Sequence, residues 1–263
     1  LVPIPFAIHG QRWMLVAEED VLPKDLPEPC QLPAALWMMN ITDEKKPFIV
    51  SSFQVEGLDG KVHPQQTGCH QPVEIIRGNE VPCAWFNQGL RILDISNPRD
   101  PKVVHKIMLD NPMTHSHKVR VVGDIMIVNS EIEPGRGDRL AFIDGGFKIY
   151  DIKDKANPKL ISFTKTHARG VHRFDMDESY AYISTEMDGF VGNILVIYDI
   201  RNPSKVEEVS KWWMPGQKEG EHKAWPGRQH RLHHALRSGD RLFAGCWHGG
   251  VRIIDVSDIK KPT

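Results

Sequence analysis

The 263-residue chain predicts an all-β protein, a β-propeller of four-stranded blades. Three observations predict it. A hairpin-forming segment recurs at intervals of about fifty residues. Two further strand-like segments precede each hairpin. The chain carries 19 Pro and 21 Gly and shows no long helical periodicity, as a turn-rich all-β chain requires.

The hairpin segment is a short apolar strand, an acid or Asn, a polar turn with Pro, and a second apolar strand. It reads LWMMNITDEKKPFIVSSFQV from Leu36, LRILDISNPRDPKVVHKIML from Leu90 and FKIYDIKDKANPKLISFTKT from Phe147. It returns as LVIYDIRNPSKVEEVSKWW from Leu195 and VRIIDVSDIKKPT from Val251. The equivalent acid or amide is Asn40, Asp94, Asp151, Asp199 and Asp255, at intervals of 54, 57, 48 and 56 residues. The strands are rich in β-branched and aromatic residues and bounded by turn residues. The Asp side chain can bond backbone N–H groups of the turn, and Pro sits where no ladder donor is lost.

The upstream strands are HKVRVV and DIMIVNSE in the third unit, HRFDMD and SYAYISTE in the fourth, and HHALRS and DRLFAGCW in the fifth. Each unit is thus A–B–C–D, four antiparallel strands. The C and D strands with their Asp-Ile-Ser-Asn-Pro turn resemble the LVIVD-repeat family, whose members are β-propellers. The resemblance implies architecture and leaves activity open, because propellers host many functions. Blades are expected over about 1–60, 61–112, 113–165, 166–222 and 223–263 of a single propeller domain. The first opens inside strand A and the fifth stops before strand D, so four to five blades of a six- to eight-bladed ring are expected. The alternative is a five-bladed ring closed by LVPIPF.

Composition narrows the partners. Thirty-three basic and 34 acidic residues give a net charge of −1, no electrostatic reason to expect nucleic acid or an anionic membrane. No apolar run approaches the ~20 residues of a membrane helix. Cys30, Cys69, Cys83 and Cys246 are scattered without a CxxC pair, suggesting neither a zinc knuckle nor a disulfide framework. A soluble protein, cytoplasmic or periplasmic, is expected. Nothing in the sequence sets an oligomeric state.

Thirteen histidines carry the functional signal. His117, His172 and His234 each stand eight residues before the B-strand residues Ile125, Tyr180 and Leu242; His70 precedes Val81 by eleven, across a longer hairpin. The first blade has Pro5 there. The A strands of a propeller are innermost, so His70, His117, His172 and His234 are expected to converge as metal ligands. His115, His167, His230 and His233 are candidate further ligands or supports. Glu131 and Glu186, at the ends of B strands, are candidate catalytic carboxylates that could orient a ligand imidazole. Arg169 and Arg231, each three residues before a histidine of the set, are candidates for holding an anionic substrate. The competing account is a repeated histidine that bonds blade to blade; for the arginines it is a surface salt bridge.

These residues predict a metal-dependent oxidoreductase or oxygenase acting on a small molecule. Hub histidines hold iron in carotenoid cleavage oxygenases and copper in nitrous oxide reductase. That analogy of geometry favours iron or copper, with zinc or manganese as alternatives. The alternative functions are a non-catalytic scaffold for protein interaction and a metal-dependent lyase or hydrolase. No GxxxxGK[ST], HExxH or GxSxG motif is present. His63 and His105 are expected on outer strands or loops, His222 in a charged surface loop, and His248 at a B–C turn.

Overall fold

The structure, a computed structural model, describes residues 1–18, 34–56, 68–111, 113–132, 144–221 and 230–263. Cys30, His63 and His222 lie outside the described residues. The chain forms two compact units, Leu1–Val119 with Ile152–Pro158, and Arg120–Asp151 with Lys159–Thr263.

The first unit contains two antiparallel sheets. One is β1 (Val2–Pro3), β2 (Trp13–Ala17), β3 (Leu36–Asn40) and β4 (Phe48–Phe53). The other is β5 (Gln71–Pro72), β6 (Glu80–Ala84), β7 (Leu90–Asp94) and β8 (Lys102–Ile107), followed by β9 (Thr114–His115). The second unit opens within β10 (Val119–Val122), at Arg120; β10 pairs with β11 (Ile125–Ile132), and β12 (Gly146–Asp151) and β13 (Lys159–Lys165) complete that blade. The next blade is β14 (His167–Met176), β15 (Tyr180–Glu186), β16 (Ile194–Asp199) and β17 (Glu207–Trp212). A three-stranded sheet follows, of β18 (His234–Ser238), β19 (Arg241–Gly245) and β20 (Val251–Asp255). All strand pairings with a resolved register are antiparallel and run in chain order within each blade. The protein is all-β, built of propeller blades as the repeat predicts.

Burial follows each strand's place. The C strand β16, ILVIYD, is buried from Ile194 to Tyr198, because blades cover both of its faces. The D strand β8, KVVHKI, is exposed or half-buried throughout, as an outer edge is. In the second unit, period-2 alternation shares the strands between two cores. Ile183 and Val196 join Ile127, Phe147, Ile149, Val171 and Phe174. Tyr182, Leu195 and Ile197 join Leu232, Leu242, Ala244 and Ile254 on the other side. Each fully buried aliphatic side chain contributes about 1.5–3 kcal/mol, so a blade with two apolar faces is stable only between neighbours.

The repeat's polar signature has a definite job. Asn40, Asp94, Asp199 and Asp255 each accept, through Oδ1, the backbone N–H two residues on, at 2.8–3.0 Å. Three residues after each of the five repeat positions, Asp151 included, a second side chain bonds in the same way: Asp43, Asn97, Asp154, Asn202 and Asp258 accept N–H groups of Lys45, Arg99, Ala156, Ser204 and Lys260. The C–D connection is therefore two successive Asx turns. Every C–D pair then shifts register at one equivalent point, Met38/Met39, Ile92/Leu93, Ile149/Tyr150 and Ile197/Tyr198.

A serine beside that bulge ties one blade to the next. Ser51 donates to the Pro98 carbonyl within the first unit, and Ser162 and Ser210 donate to the Pro203 and Ile259 carbonyls within the second, each at 2.6 Å. The equivalent residue of the second blade is His105, opposite Ile92 in the register. His105 thus lies on the outer strand where the sequence reading placed it.

Candidate functional site

Each unit gathers histidines of its own. In the first, β9 and the residues after it carry His115 and His117, both buried. The turn between β6 and β7 holds that segment in place. Phe86 O accepts the Ser116 N–H at 3.1 Å, and Asn87 Nδ2 donates to Thr114 O at 3.2 Å. The ring centroids of His115 and His117 lie 4.9 Å apart, and those of His70 and His117 5.2 Å apart. A ring nitrogen of His115 lies within 4.8 Å of one of His117. Two imidazoles bound to one ion at about 2.0–2.1 Å in tetrahedral geometry have centroids about 5 Å apart. Phe86 backs the group, with its ring 5.1 Å from His70, 5.7 Å from His115 and 6.0 Å from His117. Beside it, the fully buried Lys118 pairs with Glu74, which also accepts from Gln71 Nε2 at 2.6 Å. A buried ammonium needs such a partner.

In the second unit, Gly170 decides the local geometry. It pairs with Glu131 across β14 and β11 at φ +86°. A Cβ there would collide with the Ser130 carbonyl oxygen, lie 2.6 Å from Gly145 Cα and 2.8 Å from Gly146 N. Only glycine allows this approach. It brings Glu131, 4% exposed, to His172, with Oε2 3.0 Å from Nδ1. The carboxylate accepts the imidazole N–H and sets the ring's tautomer. The ring centroid of His172 is 5.0 Å from that of His233. His234 points elsewhere: its Nε2 is 3.2 Å from Phe174 O. His230 is buried with Nε2 3.1 Å from Pro215 O, and burial pushes its imidazole below the ordinary value.

A cavity of about 710 Å³ opens in the same unit. His167, Arg169, Glu186, Arg231, Trp247 and His248 are among its lining residues. Arg169 is tied into its wall. Its Nη2 donates to Ile132 O at 3.2 Å and lies 3.5 Å from Glu131, and its N–H donates to Glu186 Oε2 at 3.1 Å. Arg231 lies over the Trp247 ring, 4.8 Å from the centroid. Gly192 accommodates Arg231, since a Cβ there would sit 3.0 Å from Arg231 Cβ. Asp188 and Glu219 also line the cavity, so two arginines face three carboxylates and the wall is not an anion trap.

The turns after β6 and β19 are the same structure. Trp85 N donates to Gly89 O and Gly89 N to Phe86 O; Cys246 N donates to Gly250 O and Gly250 N to Trp247 O. Phe86 and Trp247 occupy the same position, at φ +45° and +48°. A left-handed non-glycine residue costs about 1–2 kcal/mol. The signal was visible as an aromatic residue followed three places later by glycine, in AWFNQG and CWHGG, and sequence reasoning missed it. His233, a candidate further ligand from the sequence, was not paired there with His172, and the Lys118–Glu74 pair was missed. His248 lies in the 3₁₀ turn Trp247–Gly249 between β19 and β20, the B–C turn expected.

The fold and the repeat define the class of protein, a β-propeller. Residues 76–108 and 173–212 match the LVIVD repeat, so the chain carries the repeats its sequence resembles. No curated protein matches the chain by sequence. Among solved structures it is similar to the periplasmic gluconolactonase PpgL of Pseudomonas aeruginosa, with a TM-score of 0.62 at 10% identity. That match covers 94% of this chain and 63% of the other. It is also similar to a Bacteroides uniformis protein assigned as a 6-phosphogluconolactonase, TM-score 0.56 at 13% identity, covering 87% of this chain and 64% of the other. The chain thus spans just under two thirds of the length of both. At such identities the likeness is one of fold. Among the described residues no helix is long and apolar enough to cross a membrane.

Proposed function

We propose that the protein is a metal-dependent enzyme acting on a small molecule, and that the reaction is an oxidation or oxygenation. The observation that carries the reading is the gathering of His70, His115 and His117, in which a ring nitrogen of His115 lies within 4.8 Å of one of His117. In the second unit we assign His172 and His233 to the same chemistry, with Glu131 holding His172 in orientation. His234 bonds the β14 backbone and steadies the strand that carries His172. An imidazole donor set suits iron, copper, zinc or nickel, and a redox-active ion held this way would supply Lewis acidity and accept electrons from a bound substrate. The chain's own residues contribute position. The Phe86 turn fixes the β9 segment, and Gly170 lets Glu131 reach His172.

A hydrolytic reading with zinc or manganese is favoured by one observation, the fold shared with two proteins named as lactonases. Metal analysis with an optical spectrum of the purified protein separates the two. Stoichiometric iron or copper, lost in His117→Ala, supports the oxidative reading. Stoichiometric zinc or manganese moves the protein to the hydrolytic one. Folded protein that takes up no transition metal, and keeps its stability in His117→Ala, leaves the propeller a non-catalytic scaffold.

A further inference from the structure

We infer that the cavity of the second unit binds a neutral cyclic polyol, a sugar ring, with Trp247 as its platform. No residue proposed to touch the sugar is assigned to an ion, but the Trp247 ring lies 5.3 Å from that of His233, so the two sites adjoin and the test is run without metal. It begins from backbone strain. Phe86 and Trp247 share one left-handed turn in different blades. Phe86 is 3% exposed, so its burial offsets the strain. Trp247 is 51% exposed; the contacts set against its strain are its buried half, the Arg231 guanidinium over its ring and the His233 ring 5.3 Å away, and the rest of the indole stays open to the cavity. Ala168, on the wall of the same cavity, is also left-handed, at φ +49°. Strained residues of this kind persist where the held conformation is used.

The lining identifies the ligand class. The cavity's size suits one small molecule. Asp188 and Glu219 offer acceptors; Arg231 and His248 offer donors. An anion would meet both carboxylates, and Arg169 is committed to Glu131 and to the Ile132 carbonyl. Hydroxyl groups donate to carboxylates and accept from guanidinium and imidazole, so a polyol satisfies both sets at once. The C–H face of a sugar ring is apolar and flat enough to lie on an indole that is half open to solvent.

The test uses the full chain after dialysis against a chelator, so that its failure and the failure of the metal reading are distinct. D-glucose, D-galactose and D-xylose are titrated by saturation-transfer NMR and calorimetry, with gluconate and benzoate as anionic comparators. At least one neutral sugar is expected to bind saturably. Trp247→Asn, which deletes the platform with a residue that tolerates the left-handed turn, is expected to weaken it by about tenfold or more. The thermal midpoint of that variant is expected to fall only slightly, because relief of the left-handed strain offsets part of the lost contacts to Arg231 and His233. Asp188→Asn with Glu219→Gln is expected to weaken the sugar and not benzoate. The inference is overturned if no neutral sugar binds, if only the anions bind, or if Trp247→Asn lowers the midpoint while leaving sugar affinity unchanged.

Discussion

Replacing Gly170 with alanine tests whether the two strands that position Glu131 and His172 are as close as described. The residue sits at φ +86°, where a Cβ costs about 1–2 kcal/mol. That Cβ would also meet backbone on three sides: the Ser130 oxygen, Gly145 Cα at 2.6 Å and Gly146 N at 2.8 Å. Backbone cannot rotate aside as a side chain can, and overpacking of this kind costs about 1–3 kcal/mol more. The expected loss is about 2–5 kcal/mol. Gly239→Ala is the internal standard. Gly239 has φ +59° and nothing within 4 Å of an added Cβ, so it carries the strain without the collision and should lose only about 1–2 kcal/mol. Urea unfolding followed by tryptophan fluorescence reads both, with the slope of each transition compared to the parent's. Equal losses in the two variants would refute the close approach, and with it the account of how Glu131 reaches His172.

The serine latches predict small, separable effects: Ser162→Ala and Ser210→Ala should each cost about 1 kcal/mol and add when combined, as a double-mutant cycle in urea would show. Asp199→Ala removes the first Asx turn of its repeat and should cost about 1 kcal/mol, whereas Asp199→Asn should recover most of it, because the amide oxygen still accepts the Arg201 N–H. Glu131→Gln should weaken metal binding by about 10–100-fold in a competitive chelator titration while the far-ultraviolet circular dichroism stays unchanged. At alkaline pH, burial pushes the Cys246 thiol from 9.0 to about 11 and the Tyr198 phenol from 10.0 to about 12. The folded state therefore keeps protons that the unfolded state releases. Stability fully present below about pH 9 should fall as pH rises through 11 and 12, and Cys246→Ala with Tyr198→Phe should flatten that fall in urea titrations at stepped pH.

The architecture was legible because its signal is carried by residues whose chemistry works locally. Asp94 or Asp199 bonds a backbone N–H two residues away whatever the rest of the molecule does, so the motif and the hairpin coincide. The serine latch was hidden for the opposite reason. Ser162 reaches a carbonyl 41 residues away, and nothing in its own strand distinguishes it from any polar residue on a half-buried face. The histidines were visible in the sequence as a recurring residue, and their pairings were not. His233 and His234 are adjacent in sequence, and a strand directs neighbours to opposite faces. Which one meets His172 depends on where β18 begins, and element ends are the hardest part of a sequence to place. Arg169 and Arg231 look equivalent in spacing, three residues before a histidine each. Glu131 separates their roles, because its carboxylate, brought close by Gly170, ties Arg169 into the wall.

Backbone strain follows the same division between frame and site. Four non-glycine residues have positive φ among the described residues: His9, Phe86, Ala168 and Trp247. None lies in a C–D turn, where the repeat is most regular. Phe86 faces three histidines, while Ala168 and Trp247 line the larger cavity; His9 lines a smaller one and lies with Nε2 3.1 Å from Ser96 O. A repeat copied for stability alone would place glycine or asparagine at such positions, as it does at Gly239 in a hairpin turn. An aromatic there sets the contacts of its ring against that strain, buried packing at Phe86 and the contacts to Arg231 and His233 at Trp247. Phe86→Asn and Trp247→Asn therefore separate two uses. The first exchanges a ring 3% exposed for a small amide and should cost about 3–5 kcal/mol, because buried contacts are lost with the ring. The second removes a half-exposed ring together with its contacts to Arg231 and His233 while relieving the left-handed strain, and should cost only about 1–2 kcal/mol. Chemical denaturation of the two variants decides it, and a large loss at Trp247 would mean that its ring supports the fold of its own turn.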